Sequence, residues 1–274
     1  MKTAQRIYTA LVFIFLYAPI AVMIVYSFNA STSTIVMQGF STHWYKSLIH
    51  DSATLKAVRN TLVLAVASSV ISTILGTAAA VGLEKFRKSA LRSSIMAVTN
   101  IPMMNPEIVT GISMMLLFVF IGRAIRVDSV LGFGTLLIAH ITFNLPYVIL
   151  TVLPKLRQTD KNLSEAAQDL GCKPFQSFFK VVLPSISPAI ITGMIMAFTL
   201  SLDDFIISYF TGGPGFQTLP IVIYSMTKKR VKPDMYALAS IIFVCILVLL
   251  ILYNLVQLKS EEKTAKKQLH RRKY

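Results

Sequence analysis

With 274 residues, 54% of them hydrophobic and only 14% charged, the chain lacks the charged surface of a soluble domain, where about a quarter of residues are charged. A net charge of +15 would suggest nucleic acid on a soluble protein, but here the Lys and Arg residues lie between apolar runs that leave no room for a soluble domain. The two cysteines, Cys172 and Cys245, have no Cys-x-x-Cys spacing, so no disulfide framework or metal site is expected and both read as reduced structural thiols.

A helix crosses roughly 30 Å of bilayer hydrocarbon with about 20 apolar residues. Six segments reach that length: 7–28, 60–83, 95–122, 131–153, 189–211 and 235–257. They predict an all-α membrane protein of about six transmembrane helices, organised as a single transmembrane domain over 1–274. None carries Lys or Arg in its interior. Of the 27 Lys and Arg residues, 18 fall in the two tails and in loops 84–94 and 154–188, against 9 in the remaining loops. That bias predicts a multi-pass protein with both termini in the cytoplasm.

The first span follows Lys2 and Arg6, and its length and lack of an A-x-A site predict an uncleaved anchor. The outer loop 29–59 holds the only tryptophan, in HWYKSLI (His43–Ile49). Trp44 and Tyr45 there read as an interfacial segment or as a docking surface for an external partner. In the second span, Gly76 to Gly82 encloses three alanines, small residues that let helices approach closely in lipid.

Within the third span, Asn105-Pro106-Glu107 predicts a helix restart after a break at Pro102, with Asn105 capping and Glu107 against the positive end of the helix dipole. Broken helices at mid-membrane often line transport sites, so Glu107 reads either as a cap or as a substrate contact. His140 and Asn144 lie one turn apart in the fourth span and are expected to hydrogen-bond to other helices. A metal is not expected there, since no third ligand lies nearby.

The loop TDKNLSEAAQDLGCKPFQSFFKVVLPSISP (159–188) predicts two short helices. Asn162 with Glu165 resembles a capping box, Gly171 suits the left-handed position that ends a helix, and Pro174 suits a first turn. Phe175, Phe178, Phe179 and Val182 share a face at helical spacing, and Pro184 is expected to stop the second helix. An apolar face on a polar loop points to a protein partner or to the bilayer surface.

The fifth span contains Asp203 and Asp204. Asp203 lies about 21 Å along the helix from its cytoplasmic start, in the outer half. A carboxylate at that depth costs about 2.5–3.5 kcal/mol by insertion scales. No span offers Lys or Arg, so the expected partner is a proton, another subunit or a passing substrate; polar groups on neighbouring helices are the alternative. The basic tail 258–274 reads as a solvated or lipid-facing end, and without an aromatic platform no nucleic-acid partner is expected.

The spacing Glu165-Ala166-Ala167, Gly171, Leu183-Pro184 resembles the EAA loop of permeases in binding-protein-dependent ABC importers, with Val181 replacing the usual Ile. YAPIAVMIVYSFN (17–29), HITFNLPYVILTV (140–152), FTLSLDDFIISYFTGGPG (198–215) and TLPIVIYSM (218–226) are similar to spermidine/putrescine permease subunits, and the similarity covers nearly the whole chain. The resemblance implies a type I importer fold in the bacterial cytoplasmic (inner) membrane. It implies as partners a second permease subunit, two copies of an ATP-binding subunit and an external polyamine-binding protein. ATP and Mg would sit on the partner ATPase, and the chain itself has no G-x-x-x-x-G-K-[ST] loop for them. ATPase coupling would then fall to Glu165, Ala166, Ala167, Asp169, Gly171, Phe175, Phe178, Leu183 and Pro184. Polyamines call for carboxylates and aromatic faces, which points to Asp203, Asp204, Glu107, Phe143, Tyr147, Phe205 and Tyr209 along the pathway. Trp44, Tyr45, Gly212 and Gly213 would meet the receptor. Two other readings stand beside this one: an importer permease for another small solute, and an ATP-independent channel or carrier. No catalytic constellation argues for an enzyme.

Overall fold

A bilayer supplies no hydrogen bonds, so a spanning chain must satisfy its backbone within each segment. In the computed structural model the described residues do so with helices, and among them a single antiparallel bridge, Asn29 with Phe40, is isolated. The structure describes residues 2–31, 36–86, 89–127, 129–160, 162–228, 233–248 and 251. The predicted basic tail 258–274 and the end of the sixth predicted span lie outside the described residues.

The chain divides into two units, Met1–Ser52 with Ser225–Tyr274, and Ala53–Tyr224. In the first unit, α1 (Lys2–Tyr26) exposes apolar side chains from Ile7 to Val25. Helix α2 (His43–His50) is tied to the end of α1: Trp44 Nε1 donates to the Asn29 carbonyl at 2.7 Å, and Tyr45 and Ser27 hydroxyls lie 2.6 Å apart. Asn29 staples the intervening loop, its amide donating to the Val36 carbonyl and accepting from the Gln38 N–H. The apolar helix Pro233–Val248, here α12, completes this unit.

The second unit carries α3 (Ser52–Lys85), α4 (Ser89–Met104), α5 (Glu107–Ala124), α6 (Phe133–Gln158), α7 (Asn162–Asp169), α8 (Pro174–Ser177), α9 (Leu183–Asp203), α10 (Ile206–Thr211) and the start of α11 (Leu219–Lys228). Helix α6 lies along α9 and also touches α4, α5 and α10. Ala80, Leu83, Val148, Val152, Ile186 and Ala197 form the core there. Of the small residues in the second span, Gly76 makes the close approach: a Cβ on it would fall 2.7 Å from Val148 Cγ1, whereas one on Gly82 would meet nothing within 4 Å.

The third span is broken, as expected, but not at Pro102, which lies inside α4. The break falls at Asn105-Pro106. Pro106 sits at the cap with ψ 130°, its carbonyl accepts from the Val109 N–H, and no side chain caps α5. Asn105 therefore does not cap. Proline disfavours helical conformation in the residue before it, which places the boundary at Asn105. Pro102 stays helical near the end of α4.

The elbow between α6 and α9 departs from expectation at both ends. Asp160, not Asn162, caps α7: its carboxylate accepts from the Asn162 N–H at 3.0 Å, because the helix begins at Asn162 itself. Gly171 ends α7 with φ +88°, and its neighbour Cys172 donates to the Ala167 carbonyl while Gly171 donates to Gln168, the hydrogen-bond pattern of a Schellman cap. Pro184 does not stop the second helix. A π turn over Phe178–Val182, in which Leu183 N–H bonds to the Phe178 carbonyl, precedes it, and the chain runs helically from Pro174 to Asp203. The wide turn lies where an α-helical proline ring would press on the carbonyl four residues back.

The contact at Gly76 is directly testable. Gly76→Ala must push Val148 aside and is expected to destabilise the purified protein by about 1–3 kcal/mol, read as a lower melting temperature in detergent. Gly82→Ala should leave the melting temperature at or slightly above the wild-type value.

Candidate functional site

The fifth predicted span, 189–211, is not one helix. Helix α9 ends at Asp203, Asp204 turns extended with ψ 120°, and α10 restarts at Ile206. The Asp204 carboxylate caps that restart, accepting from the Ile207 N–H at 3.2 Å and the Ser208 N–H at 2.7 Å. It also lies 3.4 Å from His140 Nε2, which is itself 3.1 Å from the Ser208 hydroxyl. A carboxylate only accepts, so His140 donates to Asp204 in the tautomer that carries its proton on Nε2. For Asp204 the alternative, partners among polar groups of neighbouring helix segments, is met. His140 is one, and the α10 amides are the others. A search confined to Lys and Arg passes over a buried imidazole and a freed helix terminus.

The adjacent aspartate behaves differently. Asp204 is buried, whereas Asp203 is exposed into a cavity of about 320 Å³. Glu107, Phe143, Leu200, Asp203, Asp204, Phe205 and Ile206 line it. Two broken helices meet here: Glu107 is the first residue of α5 and Asp203 the last of α9. No Lys or Arg lines the cavity among the described residues. Of the seven pathway residues read from the sequence, five are brought together. Tyr147 and Tyr209 stand one ring back, against Phe143 at 5.6 Å and Phe205 at 5.5 Å between ring centroids. Tyr224 of α11 stacks on Phe205 at 4.5 Å, an aromatic that the sequence pattern did not single out.

Below the break, a buried hydroxyl seam joins three helices. Asn144 donates to the Ser201 hydroxyl at 2.8 Å, and Ser201 lies 2.9 Å from Ser68 of α3. The expectation that His140 and Asn144 bond to other helices is met in α10 and α9.

At the elbow, Glu165, Ala166 and Asp169 are exposed and Ala167 is buried. Leu170 and Phe175 stand out at 88% and 75% exposure, with Phe179 packed on Phe175 at 4.6 Å. Phe178 does not join this face. It is half-buried at the start of the π turn, where it lines a second cavity with Val81, Leu156 and Val182. Leu183 is half-buried and Pro184 exposed. The fully buried Ser177 clips α8 to α7, donating to the Ser164 carbonyl at 3.1 Å and lying 3.0 Å from its hydroxyl. Of the residues expected to meet a receptor, Trp44 and Tyr45 are half-buried with their polar ends already bonded, Gly212 is buried, and Gly213 turns the chain beside Leu131.

Spanning helices broken around a carboxylate-lined cavity, with a rigid elbow presenting apolar side chains, make up a solute permease. Comparison with known proteins agrees. Residues 72–262 match the family model described as binding-protein-dependent transport system inner membrane component. The chain is 41% identical over 230 residues to the putrescine transport system permease protein PotI of Escherichia coli K12, covering 84% of this chain and 82% of that protein. It is 40% identical over 245 residues to the spermidine/putrescine transport system permease protein PotC of the same strain, covering 89% and 90%. Its fold matches a chain of a bacterial ABC transporter that imports alginate, with a TM-score of 0.70 at 15% identity over 90% of this chain and 91% of that one. A chain of the MetNI methionine ABC transporter matches with a TM-score of 0.56 at 20% identity over 73% and 91%. The chain belongs to the family of binding-protein-dependent transport system inner membrane components and is a multi-pass membrane permease subunit.

The two aspartates should separate by experiment. Asp204→Ala takes the carboxylate acceptor from two α10 amides and leaves the His140 imidazole with the Ser208 hydroxyl alone, and is expected to destabilise the purified protein by about 1–3 kcal/mol. Asp203→Ala should stay within about 0.5 kcal/mol of wild type. Thermal unfolding in detergent reads both.

Proposed function

We propose that this chain forms half of the translocation pathway of an ATP-driven polyamine importer, carrying putrescine, spermidine or both. The observation that carries the reading is the cavity: Glu107 and Asp203 open into it, aromatic rings flank it, and no Lys or Arg among the described residues offsets its charge. Carboxylates that face the pathway without a protein counter-ion suit a passing polycation, whose ammonium groups they offset in turn. Phe143 and Phe205 suit the methylene segments and the ammonium groups, with Tyr147 and Tyr209 behind them. The names of the two relatives, putrescine and spermidine/putrescine permeases, support the same substrate class.

The elbow is the coupling surface. Glu165, Ala166, Ala167 and Asp169 with the exposed Phe175 dock on an ATP-binding partner, and Gly171, Leu183 and Pro184 shape the elbow that carries its motion into α9. Phe178 acts from within, as packing beneath the elbow. ATP and Mg reside on that partner, present in two copies beside a second permease subunit. An external polyamine-binding protein delivers solute to the opposite face, near Trp44, Tyr45, Gly212 and Gly213. In this reading both termini are cytoplasmic and the chain sits in the bacterial inner membrane, as the Lys and Arg bias of the loops supports.

Labelled spermidine and putrescine uptake in cells lacking the chain and then restored tests the substrate class. Uptake should need both the chain and cellular ATP, and Asp203→Asn with Glu107→Gln should reduce it at least tenfold without loss of assembly. Unchanged uptake in cells without another polyamine route would sink the polyamine assignment. Uptake by the purified chain alone without ATP would favour a carrier. At the elbow, Gly171→Val forces a β-branched residue into a left-handed conformation. It should abolish uptake and co-purification of the ATP-binding subunit while membrane amounts stay normal.

A further inference from the structure

His140 and Asn144 are four residues apart on α6, so their side chains project from the same face one turn apart. That face grips the broken helix on both sides of its break. Asn144 holds Ser201 in the last turn of α9 at 2.8 Å, and His140 reaches Asp204 at 3.4 Å and Ser208 of α10 at 3.1 Å. His140, Asn144, Ser201, Asp204 and Ser208 are all buried, and Ser201 is held from a third side by Ser68. Helix α6 is thus a splint, and the two grips differ in kind: a hydroxyl bond before the break, a carboxylate pair beyond it.

We propose that His140 is a positioning residue of the pathway: it holds Asp204 in the protein as the cap of α10, and so leaves Asp203 and Glu107 as the two carboxylates open to the cavity. His140 itself does not touch solute. Without its N–H, the Asp204 carboxylate would keep its α10 partners, the two amides and the Ser208 hydroxyl, but lose the imidazole that ties it to α6. With that tie gone the side chain would turn towards the cavity it already lines, and water would follow it into the break. Only the transport readout below rests on the polyamine reading.

The test uses the assembled importer in membranes, with Cys172→Ser and Cys245→Ser removing the native thiols and Ile207→Cys as the probe. Ile207 is fully buried beside the break, packed with Ala139 and Phe143. With His140 intact, the probe should resist a water-soluble maleimide. With His140→Leu it should react at least tenfold faster, and with His140→Gln, whose amide can still donate, it should stay protected. Equal protection in all three, or a His140→Gln probe as reactive as His140→Leu, overturns the proposal. Should His140→Leu fail to accumulate, His140→Leu with Asp204→Asn decides. The amide side chain removes the buried charge while its oxygen can still accept from the two α10 N–H groups, so the pair should accumulate, and its failure to do so overturns the proposal. Polyamine uptake in the same strains, without the probe, should fall at least tenfold in His140→Leu and be mostly retained in His140→Gln. Absence of polyamine uptake in wild type would instead count against the substrate class, with the labelling still deciding the role of His140.

Discussion

A carboxylate that ends up inside a membrane protein must find its donors there, and the arrangement of Asp204 organises this molecule. Two amides of α10 and the imidazole of His140 satisfy it. The amides are free to do so only because α9 has stopped one residue earlier. The break supplies the cap with its donors, and the cap stabilises the break. The cavity, the exposure of Asp203 and the packing of α6 against both helix segments all follow from that reciprocal arrangement.

It also divides labour between adjacent residues of one type. Asp204 is spent on structure. Asp203, at the last position of α9, and Glu107, at the first of α5, stand at the ends of two interrupted helices on one cavity. Interruptions of this kind are tolerated at membrane depth where the backbone lines a cavity. At the other end of α9 the elbow is held by different means, the left-handed Gly171 and the Ser164–Ser177 clip. One nearly continuous helical run from Pro174 to Asp203 joins the two sites.

Much of this was legible in the sequence, where local chemistry decides. Apolar run lengths marked the spans, Gly171 marked the end of α7, and the Asn105-Pro106-Glu107 triplet marked a restart. The misses share a cause. Asn162 carried a capping pattern, but Asp160 stood two residues upstream and the helix began earlier than the pattern assumed. Pro184 looked like a stop, yet a widened turn absorbed its missing N–H. The break at Asp204 was invisible because apolar residues flank it on both sides, and its signal is a three-dimensional one: His140 lies 64 positions away along the chain and 3.4 Å away in space. Tyr224 joined the aromatic group for the same reason, through the packing of α11.

The π turn at Phe178–Val182 carries a consequence for register. A turn that closes over five residues instead of four holds one residue more than the helix around it, and each residue of an α-helix advances about 100°. The outward rings of Phe175 and Phe179 and the inward Phe178 are therefore set by that extra residue relative to the membrane span above. The angular phase between the docking surface and the cavity is written in a residue count. A deletion of one residue here would keep every chemical group of the elbow and still aim it the wrong way.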